Sequence, residues 1–89
     1  MIDVRLEGEK MTSEYEAHRH IKKRMDFPNN YGMNQDALWD ALLAIDKPTG
    51  ITLYDQDVML DALGDYGYEL LKLFKDAPRA NHDLYFEAF

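Results

Sequence analysis

Asp36 and Asp40 lie four residues apart in the run Tyr31 to Asp40 (YGMNQDALWD), with the chain's single tryptophan, Trp39, beside the second. On a helix that spacing puts both carboxylates on one face, where like charges repel by roughly 0.2–0.5 kcal/mol. The acidity is regional: from Met25 to Lys47 the chain has Asp26, Asp36, Asp40 and Asp46 and no intervening Lys or Arg. Asp36, in the first turn of such a helix, gains from the helix dipole; Asp40 is too far along to gain much. Two readings follow. The carboxylates meet a basic partner, with Trp39 as an exposed aromatic anchor, or they form a solvated face while Trp39 leans into the core beside Leu38. The charge pattern leaves both open. A hydrolytic acid–base pair fits poorly, because such pairs face each other across a cleft in environments that separate their pKa values.

The other candidates for chemistry are weaker. His18 and His20 stand about 200° apart around a helix and cannot share one metal ion. His18 falls on the edge of an apolar stripe with Ile21 and Met25, so it reads as a partly buried, hydrogen-bonded histidine; His82, in Asn81-His82-Asp83, reads as a solvated turn residue. There is no GxSxG, no phosphate-loop glycine pattern and no cysteine nucleophile. Neither an enzyme nor a cofactor or metal site is expected. Arg19, Lys22, Lys23 and Arg24 form a basic stretch, but Glu14, Glu16 and Asp26 balance it, which describes an ordinary solvated face.

The elements that position these residues must come from 89 residues, enough for one domain spanning 1–89 with one core. An apolar fraction of 46% suits a folded chain, and with no cysteine its stability must come from packing. A net charge of −7 argues against direct nucleic-acid binding, which needs an excess of cations on the binding face. No apolar run is long enough to span a bilayer, and MIDVRLEGEKM lacks the apolar core of a signal peptide. The expectation is a soluble, cytoplasmic protein without membrane contact.

Ile2, Val4 and Leu6 alternate with Asp3 and Arg5, the period of a half-buried strand. Ser13 and Glu16 form a capping-box pattern opening a helix through Ala17, Ile21 and Met25, which ends before Phe27-Pro28. Phe27 to Met33 reads as a structured loop. Asn34 caps a second helix with Leu38, Leu42 and Ile45 on its apolar face, ending before Lys47-Pro48. Thr49-Gly50 reads as a turn, Ile51 to Tyr54 as a strand, and Asp55 or Asp57 as the cap of a helix that Gly64 ends. A fourth helix, Tyr66 to Ala77, presents Leu70, Leu71, Phe74 and Ala77 and stops at Pro78; Leu84 to Phe89 forms the last strand. The order β-α-α-β-α-α-β implies an α/β fold, a three-stranded parallel sheet packed with four helices through right-handed crossovers.

The run from Tyr31 to Leu42 (YGMNQDALWDAL) resembles the signature Y-G-x-N-x-D-A-L-W-D-x-L of the barstar family of ribonuclease inhibitors, with every fixed position in register. The element order fits that family over essentially the whole chain.

The resemblance implies a protein inhibitor of a small, basic, secreted-type ribonuclease, a monomer when free that forms a one-to-one complex. In this family the second helix and the loop before it plug the enzyme's cleft, and the second Asp of the motif, here Asp40, takes the place of the RNA phosphate. By the same match Asp36 meets further basic groups, Tyr31, Gly32, Asn34 and Trp39 shape the contact, and Asp76 is an acidic interface residue on the fourth helix. Asn30, Leu43 and Ile45 stand where barstar itself has an aromatic, a threonine and a tryptophan. A cognate ribonuclease related to barnase but not interchangeable with it is implied, a description that the toxin of an immunity pair would meet. The alternative is a barstar-like interaction module for a partner that is not a ribonuclease.

Overall fold

The computed structural model describes all 89 residues. Val4 and Leu6 are buried while Asp3 and Arg5 are exposed, so the alternation in the sequence becomes β1 (Ile2–Glu7). One turn of 3-10 helix (Gly8–Lys10) leads to α1 (Glu14–Met25), α2 (Gln35–Leu43), β2 (Thr49–Tyr54), α3 (Gln56–Leu63), α4 (Asp65–Ala80) and β3 (Leu84–Ala88). The architecture is the expected one: four α-helices and a parallel sheet in the order β1-β2-β3. The register aligns Asp3 with Gly50 and Tyr85, and Arg5 with Thr52 and Glu87.

When strand order follows chain order, right-handed crossovers place every helix on the same face of the sheet. Val4, Leu6, Thr49, Ile51, Leu53 and Leu84 are buried on that face. The opposite face is built of polar and aromatic residues, among them Asp3, Arg5, Thr52, Tyr54, Tyr85 and Glu87; Arg5 lies 4.0 Å over the Tyr54 ring. Each helix contributes one apolar stripe to the core. Ala17 and Ile21 come from α1, Leu38 and Leu42 from α2, Met59 from α3, and Leu70, Leu71, Phe74 and Ala77 from α4. Phe74 stacks on Phe86 of β3 with ring centroids 5.2 Å apart.

Several boundaries differ from the sequence reading. Thr49-Gly50 is not a turn but the start of the central strand, where Gly50 lies between Asp3 and Tyr85. Turn residues are accommodated there because both neighbouring strands supply ladder partners. α2 ends at Leu43, and Ile45 follows with its N–H 3.3 Å from the Leu42 carbonyl, a tightened last turn. Pro78 lies inside α4 rather than ending it. In the last turn a proline removes only one helical bond, and the Asn81 N–H still reaches the Ala77 carbonyl at 2.9 Å. Asp55 occupies the cap position of α3 in a left-handed conformation, φ 55°, but its side chain makes no capping bond. α3 buries Met59 and turns Val58 and Ala62 outward, with Leu60 and Leu63 half-buried.

Candidate protein-interaction face

The loop before α2 begins where Asp26, in a left-handed conformation, ends α1 with its N–H on the Lys22 and Lys23 carbonyls. Tyr31 then turns inward: its ring packs 5.0 Å from that of Phe27 and its N–H donates to the Pro28 carbonyl at 3.0 Å. Its hydroxyl lies 2.8 Å from His18 Nδ1, and the Tyr66 hydroxyl lies 2.6 Å from His18 Nε2. His18 is fully buried and joins α1, the loop and α4 through its two ring nitrogens. A neutral imidazole has one donor and one acceptor, so one tyrosine accepts from it and the other donates to it. Burial disfavours the imidazolium and lowers the His18 pKa; burial likewise raises the pKa of Tyr31, with Tyr66 adding to the effect.

Gly32 and Met33 turn the chain from this anchor into the helix. A Cβ on Gly32 would lie 2.9 Å from the Ala37 Cβ, so glycine lets the loop close onto the first turn of α2. Met33 adopts φ 58°, a conformation that costs a non-glycine residue about 1–2 kcal/mol. Asn34 then caps α2, its Oδ1 accepting the Ala37 N–H at 2.8 Å, as its position in the sequence suggests. At the other end, Asn81 Nδ2 donates to the carbonyls of Leu42 (3.0 Å) and Ile45 (2.9 Å), with Leu43 at 3.4 Å. Thus α2 is tied at both termini to other parts of the chain.

Against this helix the sequence-predicted residues fall into distinct places. Asp36 and Asp40 are exposed, and neither takes part in an ion pair or side-chain hydrogen bond. Trp39 is half-buried, neither core nor free, and forms a wall of a hollow of about 290 Å³ between α2 and α4 with Gln35, Glu69, Lys72, Leu73 and Asp76. The structure therefore brings Trp39 and Asp76 together across 37 residues of chain. Asn34 and Asp36 line an adjoining hollow of about 380 Å³ with Glu14, Met33, Gln35 and Tyr66. Asn30 and Gly32 are exposed in the loop, and Leu43 at the end of α2 is 38% exposed. Tyr31 is 8% exposed and offers the surface little area. Ile45 belongs to a separate hollow over the start of β1 and β2, with Ile2, Val4 and Thr49.

The two hollows share Gln35 and hold four carboxylates, Glu14, Asp36, Glu69 and Asp76, against one cation, Lys72, which is 2.9 Å from Asp76. Glu14 and Glu69 were absent from the sequence-based site. Glu14 is counted there against the basic stretch of α1, and only the packing of α1 and α4 beside α2 turns it toward Asp36. His18 and Asn81, which position the loop and the helix, also carried no local signal as site residues: each acts on backbone or side chains far away in sequence.

A surface of this kind, acidic, concave and mounted on a helix fixed at both ends, is suited to a cationic protein partner. Comparison with known proteins agrees. The family model described as "Barstar (barnase inhibitor)" matches residues 1–88. A Bacillus subtilis (strain 168) protein named "Putative ribonuclease inhibitor YrdF" is 36% identical over 61 residues, covering 67% of each chain. With its motif in register, its β-α-α-β-α-α-β order and a match over nearly its whole length, the chain belongs to the barstar family.

Proposed function

We propose that this protein inhibits a small basic ribonuclease related to barnase, seating α2 and the preceding loop in the enzyme's cleft with Asp40 in the place of the RNA phosphate. The observation that carries this reading is the cation-poor acidic face on a helix fixed at both termini. A nuclease cleft is lined with the cations that bind phosphodiesters. An exposed carboxylate without a partner of its own, such as Asp40, accepts bidentate charge-assisted bonds from arginine or bonds from protonated histidine. Asp36 and Asp76 add charge from the two hollows, and Asp76 can exchange its exposed Lys72 partner for a cation of the enzyme. Trp39 supplies rigid area beside them, while Gly32 and Asn34 shape the loop, held from behind by Tyr31. Asn30 and Leu43 border the face and set which ribonuclease fits, whereas Ile45 lies in its own hollow away from it.

Because α2 and its loop are already braced, little ordering entropy is lost on binding. Acid facing base also makes association fast and salt-sensitive. The complex is one-to-one, the free inhibitor is monomeric, and the protein works in the cytoplasm of the cell that makes the enzyme.

The test titrates the protein into a barnase-type ribonuclease cleaving a fluorogenic RNA substrate. Stoichiometric inhibition is expected, with Asp40→Ala weakening binding by about 2–5 kcal/mol, a range to which the barnase–barstar pair itself contributes. That is a loss of roughly 30-fold or more. Full inhibition by Asp40→Ala would refute the phosphate-mimic role; binding that leaves cleavage unchanged would instead identify an interaction module.

A further inference from the structure

Four of the chain's ten Lys and Arg residues, Lys10, Arg19, Lys23 and Arg24, line one hollow of about 350 Å³ with His20 and a single carboxylate, Glu16. It lies where the 3-10 turn after β1 meets α1. In the sequence the basic stretch looked balanced, but folding removes the balance. Glu14 faces the acidic hollow beside α2, Asp26 lies outside, and Lys10 arrives from the other side. Of the cations present, Arg19 is 3.6 Å from Glu16 and Arg24 is 2.8 Å from Glu7 at the end of β1, while Lys10 and Lys23 have no carboxylate partner.

His20 adds a directed donor. Its Nε2 accepts the Glu7 N–H at 2.9 Å, which fixes the ring proton on Nδ1, and Nδ1 has no protein partner. Partial burial, then the nearby Arg24, Lys10 and Lys23, hold the His20 pKa below its ordinary value against the opposing pull of Glu7. The hollow thus gathers four cations against Glu16 and the nearby Glu7, on a protein whose net charge is −7.

No hydrophobic residue lines the hollow, so a nucleobase would find no apolar floor there. We propose that it binds a small, multiply charged phosphate anion of the class of pyrophosphate and tripolyphosphate. The two lysines supply mobile point charges, the arginines planar donor pairs, and His20 Nδ1–H a fixed donor. This site is independent of the ribonuclease-inhibiting face and does not rest on that reading.

The experiment is an NMR titration of the free protein with sodium tripolyphosphate, against sodium chloride at matched ionic strength. Saturable shifts confined to the 3-10 turn and to α1 from Arg19 to Arg24 are expected, together with a rise in the His20 pKa on binding. The double variant Lys10→Gln, Lys23→Gln alters two exposed, unpaired side chains. It should lose affinity roughly 30-fold, taking each charge pair at the upper end of what exposed pairs contribute. It should fold normally and inhibit the ribonuclease as before. Shifts that follow ionic strength alone, or affinity unchanged in the double variant, would overturn the proposal. So would tighter binding of a mixed-sequence oligoribonucleotide at the same residues, which would reassign the surface to a nucleic-acid backbone.

Discussion

Asn81 provides the sharpest check on how α2 is held. Its amide nitrogen is 3.0 Å from the Leu42 carbonyl and 2.9 Å from that of Ile45, with Leu43 more distant at 3.4 Å; its Oδ1 accepts the Asp83 N–H at 3.0 Å. The Ile45 carbonyl, just past the helix, would otherwise need water, and the Leu42 carbonyl, which the Ile45 N–H reaches at 3.3 Å, gains a second, shorter bond. Asn81→Ala removes those two bonds and the turn bond to Asp83. At about 0.5–1.5 kcal/mol net for each, discounted because water can reach part of this end, the expected loss is about 2–3 kcal/mol. That is a large fraction of the roughly 5–15 kcal/mol by which such a domain is stable.

Asn81→Asp is the more incisive variant. It preserves shape and the acceptor for Asp83 but replaces the donor with an anionic oxygen facing carbonyls at the negative end of the α2 dipole. It should cost at least as much as Asn81→Ala. Equilibrium urea unfolding of the three proteins, compared by midpoint at a common slope, measures both effects. If both variants lay within about 0.5 kcal/mol of the parent, as surface substitutions usually do, the assigned role of the amide would be refuted. The same holds if Asn81→Asp were the more stable variant. A loosened α2 should also release the ribonuclease faster.

Two further outcomes follow from the geometry. His18 and His20 both titrate below 6.5, His18 through burial and His20 through burial and its cationic neighbours. The unfolded chain therefore takes up protons first as pH falls. Stability is full above about pH 6.5 and declines below it until the folded histidines themselves protonate, by up to about 1.4 kcal/mol per pH unit for His18 and less for the partly exposed His20. Urea melts at about pH 7.5 and about pH 5.5, before most carboxylates titrate, should show that decline, and His18→Gln should flatten it; no decline would contradict the assignment. Separately, a Cβ on Gly8 would lie 2.1 Å from the Asp55 carbonyl oxygen, so Gly8→Ala must push the 3-10 turn away from the end of β2. A loss toward the upper end of about 1–3 kcal/mol is expected in thermal unfolding, and an unchanged melting temperature would show that the turn can shift freely.

Features whose cause is local were legible in the residues. Ser13 accepts the Glu16 N–H at 3.1 Å and Asn34 accepts that of Ala37, as their positions before apolar stripes suggest. Leu38 and Leu42 are fully buried at the spacing that marks one helix face. Misread positions were those where a neighbour overrides local preference. Gly50 is in a strand because β1 and β3 flank it, and Pro78 stays helical because α4 is packed along Leu70, Phe74 and Ala77. The sequence left Trp39 between core and surface, and the answer depended on Leu73 and Asp76 of α4, which make it one wall of a hollow.

By itself the amino-acid order determined the element types, the parallel α/β topology, the acidity around Asp36 and Asp40, and the motif that marks the family. These depend on periodicity, capping and spacing within a few turns of chain. Only the tertiary structure decided that the acidic face also includes Glu14 and Glu69, that His18 and Asn81 brace it, and that Lys10 completes a basic hollow elsewhere. Charge and hydrogen bonding act through space, so their partners are set by how α1, α2 and α4 pack, which no local pattern encodes. The acidic segment read first in the sequence is therefore one side of a larger surface built by three helices.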